Sequence, residues 1–154
     1  MDKIVFEATH FIIKIPAHPH VDHEDGGHLI VEPRSYVKDR TQLSSEAAIE
    51  LMKLTMVAGE AMDSVLNQQG IDLVRINHQD NGNWGFRSAK GPCLHVHLYG
   101  RALSSKLQKH GEALVLPASD SPYHKQLKSL DDMDAELLAQ TISLLMASGK
   151  YNGW

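Results

Sequence analysis

The chain carries ten histidines in 154 residues, and their placement is uneven. The densest chemistry lies in Gly91-Pro92-Cys93-Leu94-His95-Val96-His97-Leu98-Tyr99-Gly100-Arg101. Read as a strand, period-two alternation puts Cys93, His95, His97 and Tyr99 on one face and Leu94, Val96 and Leu98 on the other. The apolar set is expected to pack under a helix and the polar set to face a cleft or solvent. Two adjacent imidazoles on one face cannot both be charged cheaply. One can therefore act as a neutral nucleophile or base while its neighbour donates a proton to a bound anion. A pair of solvated surface histidines would give the same pattern, so the surrounding elements have to decide. Cys93 reads as a supporting residue and not as a thiolate nucleophile.

The elements that position this strand follow from local signals. Residues 5–6 and 11–15 read as a hairpin turning at Ala8–Thr9. Residues 16–27, PAHPHVDHEDGG, form a polar loop with two prolines and a Gly-Gly pair. Residues 28–31 are a strand stopped at Pro33. Ser44 or Ser45 caps a helix running to about residue 67, with Gly70 as the stop signal. Its apolar stripe is Ala48, Leu51, Met52, Thr55, Ala58, Met62, Val65 and Leu66, with the methionines read as core. Residues 71–76 are a fourth strand, 77–91 a connection rich in Asn and Gly, and 94–98 the fifth strand. Asp131 caps a second helix to about residue 147, with Leu137, Leu138, Ile142 and Leu145 inward. The tail SGKYNGW reads as frayed, with Trp154 able to dock. The expectation is a single α+β domain over residues 1–154: a mainly antiparallel five-stranded sheet, one long central helix and a C-terminal helix.

Composition excludes several classes. The length is too short for a TIM barrel or a full dinucleotide-binding dehydrogenase. With 42% hydrophobic and 22% charged residues the chain is globular in usage. A net charge of −4 and a pI near 6.2 give no basic footprint for nucleic acid. One cysteine means no internal disulfide. No signal peptide and no apolar run near a membrane span in length are seen. A soluble, cytoplasmic protein is the expectation.

The ordered set of motifs resembles the histidine triad (HIT) family of nucleotide hydrolases and transferases. Gly27-His28-Leu29-Ile30-Val31-Glu32-Pro33 is similar to the family's strand that enters with a histidine and leaves through a proline. The helix from Ser44 follows, then Ile76-Asn77, the Gly/Asn loop, and the histidine strand ending in Gly100-Arg101. The resemblance implies a HIT-like fold and assigns His95 as the nucleophile that takes the α-phosphoryl group. It assigns His97 as the last triad histidine, on the phosphate, and His28 as a further histidine lining the site. Asn77 falls near the ligand phosphate, and Lys90 where relatives place a small polar or amide contact. Cys93 stands where the family has its first histidine, and the ribose-binding acid has no match. The implied reaction is two-step nucleophilic catalysis. Neutral His95 forms a nucleotidyl-histidine from a dinucleoside polyphosphate or nucleoside phosphoramidate of adenosine or guanosine type, and water then releases the monophosphate. No cofactor or metal is implied. A homodimer is.

Two other readings compete. His18-Pro19-His20-Val21-Asp22-His23 spells H-x-H-x-D-H, which resembles the ligand run of metallo-β-lactamase-like hydrolases. It begins too near the start of the chain for that fold, and the chain is short for its four layers. The third reading is a nucleotide-binding protein without turnover, which the Cys93 replacement keeps in play.

Overall fold

The computed structural model describes every residue except Ser119, and of Asn83, Trp84 and Arg87 only the backbone. Five strands form one sheet: β1 Lys3–Glu7, β2 Phe11–Ile15, β3 His28–Pro33, β4 Leu73–Asp80 and β5 Val96–Ala102. Their order is β1-β2-β3-β5-β4, and every neighbouring pair is antiparallel. Helix α1, Ser45–Gln68, starts where Ser44 Oγ accepts the Ala47 N–H at 3.2 Å. Helix α2, Asp132–Ala147, opens on a capping box between Asp131 and Asp134. The expected α+β architecture is the one observed.

Apolar residues of α1, α2 and the helix-facing side of the sheet make the core, including Leu54, Ala58, Met62, Leu66, Leu138 and Ile142. Leu94, Val96 and Leu98 enter it as the alternation requires, with Leu98 fully buried. The α1 stripe holds at Leu51, Thr55, Ala58, Met62, Val65 and Leu66, and Ala47, Leu54, Val57 and Ala61 are buried beside it, whereas Ala48 is exposed and Met52 is 58% exposed. Met52 and Met56 instead line a shallow groove of about 450 Å³ beside β4.

Strand bounds differ as well: β1 and β3 run longer than the reading, and the two strands at the site are shifted along the chain. β4 continues through Asn77 to Asp80, because Asn77 pairs with Tyr99 and Asp80 with Val96. β5 begins only at Val96, so His95 stands just before the ladder, at the mouth of the strand. The tail is docked and not frayed. Tyr151 is buried and its hydroxyl donates to Glu60 at 2.7 Å, with Lys150 on the same carboxylate at 2.6 Å. Among the described residues no helix is long and apolar enough to cross a membrane.

Candidate active site

The face of β5 turned away from the helices is covered, and that is what makes a site of it. Residues 16–27 fold back over the strand, brought close where Gly26 and Gly100 meet. A Cβ on Gly100 would strike the Gly26 carbonyl, and Gly26 itself sits at φ +122°, where a side chain is strained. Gly100 N–H closes the approach on the Gly27 carbonyl at 3.1 Å. Under this cover His97 is 3% exposed, His28 1% and Tyr99 fully buried, while His95 remains half-buried. The polar face expected in a cleft or solvent is therefore largely interior.

Register sets the neighbours. His97 lies between Ile30 of β3 and Gln79 of β4, and Tyr99 between His28 and Asn77. His28 Nε2 and His97 Nδ1 share a hydrogen bond of 2.8 Å. The His97 and Tyr99 rings stack with 8° between planes. The loop adds His20, whose Nδ1 lies 2.8 Å from the Tyr99 hydroxyl, itself 3.3 Å from Asn81 Nδ2. His20 stacks on His28, and the His124 ring lies 6.0 Å from that of His20, centroid to centroid.

His95 meets His97 edge-on, with centroids 4.6 Å apart. Its Nδ1 is 3.0 Å from the Cys93 carbonyl oxygen. A carbonyl only accepts, so Nδ1 carries a proton, and in the neutral ring Nε2 is the lone-pair nitrogen. Cys93 Sγ lies 3.7 Å from the same nitrogen. The main chain of Cys93, more than its thiol, thus orients the ring.

Burial dominates the electrostatics. It pushes His20 down to about 4 and His97 to about 3, with neighbouring histidines adding repulsion in each case. His28 is held well below its ordinary value by the same burial and by His97, His20 and His95. Burial also raises the Tyr99 phenol, so it stays protonated. These rings form a neutral donor-and-acceptor surface in the physiological range.

The sequence-predicted residues divide clearly. His28, His95 and His97 come together, and Cys93 touches His95. Asn77 sits half-buried opposite Tyr99. Lys90 lies exposed in the turn closed by Gly91 N–H on the Ser88 carbonyl. The H-x-H-x-D-H run does not converge on one point. His18 is exposed, Asp22 accepts the Glu24 and Lys128 amides, and His23 faces Asp134 of α2 at 3.3 Å. Only His20 turns into the site. Tyr99 is legible from alternation; His20 is marked only as part of the H-x-H-x-D-H run, with nothing to single it out from His18 and His23, and no local signal marks His124.

His20, His28 and His97 could also hold a metal, since each offers a nitrogen and these lie within 4.8 Å of one another. The hydrogen bonds oppose it. The His20 main-chain N–H donates to His28 Nδ1 at 3.2 Å, so neutral His28 keeps its proton on Nε2, where a metal would have to bind. Ligation would displace that proton and leave two donors facing each other.

No protein-family model matches the chain, and no curated protein matches it in sequence. Solved structures do match in shape. A hypothetical histidine triad nucleotide-binding protein from Sulfolobus tokodaii superposes with a TM-score of 0.60 at 13% identity, over 95% of this chain and 87% of that one. A Hit-like protein involved in cell-cycle regulation from Bartonella henselae gives 0.59 at 14% identity, over 94% and 87%. A zinc-bound histidine triad family protein from Mycobacterium smegmatis gives 0.58 at 17%, over 92% and 84%. The fold is therefore that of the histidine triad proteins, with His97 on β5 and His95 just before that strand.

Proposed function

We propose that the protein is a nucleotide-binding hydrolase that cleaves at the α-phosphate through a nucleotidyl-His95 intermediate. The observation that carries this is the 3.0 Å contact of His95 Nδ1 with the Cys93 carbonyl. In the neutral ring it makes Nε2 the free nucleophile, beside an imidazole that supplies a donor. His95 Nε2 attacks the α-phosphorus, the bond to the leaving oxygen or nitrogen breaks, and that group leaves with its electron pair and takes a proton from solvent. Water then attacks the phosphorus, returning the electron pair of the P–N bond to Nε2 and releasing the nucleoside monophosphate. His97 Nε2–H, held by His28, donates to a non-bridging oxygen as negative charge develops there. Neutral imidazole donors suit this task, since they need no protonation step near neutral pH. Asn77 and Lys90 are read as further phosphate contacts, Asn77 from the buried sheet face and Lys90 from the exposed loop. Dinucleoside polyphosphates and nucleoside phosphoramidates, of adenosine or guanosine type, are the substrate classes.

The test is to trap a radiolabelled nucleotidyl-enzyme from wild type and from His95→Ala in a buffer containing a chelator. Label on wild type alone, with turnover in the variant down by about 10⁴-fold or more, is the expected result. Label on both variants removes His95 as nucleophile, and turnover that appears only with added zinc or manganese revives the metal reading. A homodimer is part of the proposal. The open edge of β4 and the adjoining Met52/Met56 groove support it, and light scattering on the purified chain checks it.

A further inference from the structure

The His28–His97 hydrogen bond can be satisfied in two ways. In one register His28 Nε2–H donates to His97 Nδ1, and His97 carries its own proton on Nε2. In the other, His97 Nδ1–H donates to His28 Nε2, and His97 Nε2 becomes a lone pair. Both keep the 2.8 Å bond and both leave two neutral rings. They differ in what His97 presents beyond the pair: a donor in the first case and an acceptor, repelled by phosphate oxygen, in the second. Nothing within the pair chooses between them.

The choice is made from outside, by one main-chain group. The His20 N–H points at His28 Nδ1 at 3.2 Å, and an amide can only donate. A proton on His28 Nδ1 would set two donors against each other in a site where burial forbids the doubly protonated ring. The amide is not free to drift away. On one side of it Ser129 Oγ donates to the Pro16 carbonyl at 2.7 Å. On the other, Lys128 N–H donates to Asp22 Oδ2 at 2.7 Å and His23 N–H to the Lys128 carbonyl at 2.9 Å. The His20 ring adds a fourth tie through Tyr99. We propose that the His20 peptide N–H is a positioning group that sets the proton register of His28 and His97, so that residues 16–27 turn His97 into a phosphate donor. The consequence for phosphate rests on the function proposed above; the register itself does not.

Two-bond proton–nitrogen correlation spectra of the ligand-free, histidine-labelled protein near neutral pH read the register directly. Expected are Nε2–H tautomers for His28 and His97 and the Nδ1–H tautomer for His95. An Nδ1–H tautomer at His97 in wild type overturns the proposal without any variant. His20→Pro removes the amide proton and should leave both registers populated, so that Nδ1–H signals appear at both rings and kcat/KM falls by about twofold, in proportion to the molecules whose His97 still presents a donor. Nucleotidyl-His95 should still be trapped in that variant. His20→Ala keeps the amide and should keep the wild-type tautomers. Unchanged tautomers in a folded His20→Pro protein, or switched ones in His20→Ala, overturn the role of the amide. If the register is as stated but adenosine monophosphate neither binds nor is produced, the functional proposal fails and this one stands.

Discussion

The two faces of β5 are made of alternate residues of one strand, Val96–Ala102, yet different physics holds each. On the helix side Val96 and Leu98 lie among Leu54, Ala58 and Met62, where burial is additive and indifferent to direction. On the other side His97 and Tyr99 are just as buried, but each polar atom needs a partner of the right sense, and one misplaced proton reverses a chain of contacts. The first face stores stability. The second trades it for a defined arrangement of donors and lone pairs, as a site that reads charge must.

The largest effect on this comparison should come from Leu98→Ala on the apolar face. It should cost about 2–5 kcal/mol in urea unfolding, while the folded fraction keeps its turnover. A matching loss of activity per folded molecule would mean that the faces are not separable. His97→Ala should do the reverse, lowering kcat by about 10²–10³-fold as for a lost oxyanion donor. Its stability cost should be smaller, about 1–3 kcal/mol for the unpartnered His28 N–H. Equal unfolding midpoints for His97→Ala and Leu98→Ala would argue against this division.

Acid separates the faces a third way. The folded values of His20 and His97 lie near 4 and 3, below the ordinary 6.5, so the unfolded chain takes up protons first as pH falls. Their contribution is complete above about 6.5 and is lost progressively from there to about 4 for His20 and about 3 for His97. Urea midpoints should therefore decline across that window in wild type and less steeply in His97→Ala. Identical slopes would show that the buried imidazoles are not what acid titrates. The smallest effect belongs to Cys93→Ser. The carbonyl that orients His95 survives the change, so kcat should stay within about fivefold, given that a side-chain hydrogen bond is worth only about 1 kcal/mol. Complete inactivation there, with iodoacetamide blocking wild type in step with one alkylated thiol, would place the cysteine in the chemistry.

How much was legible varies by kind of residue. Leu94, Val96 and Leu98 could be assigned to the core, and His95 and His97 to the opposite face, because side-chain period is a local property of extended chain. Both helix starts were readable at Ser44 and Asp131 because a cap is closed within a few residues. Met52 was misassigned because a stripe's edge depends on which neighbour covers it. The end of β4 was misplaced because Asp80 is held by pairing with Val96, a partner sixteen positions on.

Local signals thus suffice for the elements, their order along the chain, and three of the five clustered imidazoles, His28, His95 and His97. Chain closure alone brings His20 to them and leaves His18 and His23 outside, since three histidines of one loop have nearly the same local surroundings and spacing. It also decides which nitrogen of each ring holds the proton. That depends on whether a carbonyl, an amide or another ring stands opposite, and those partners are brought together by chain closure between residues as far apart as His20 and Tyr99.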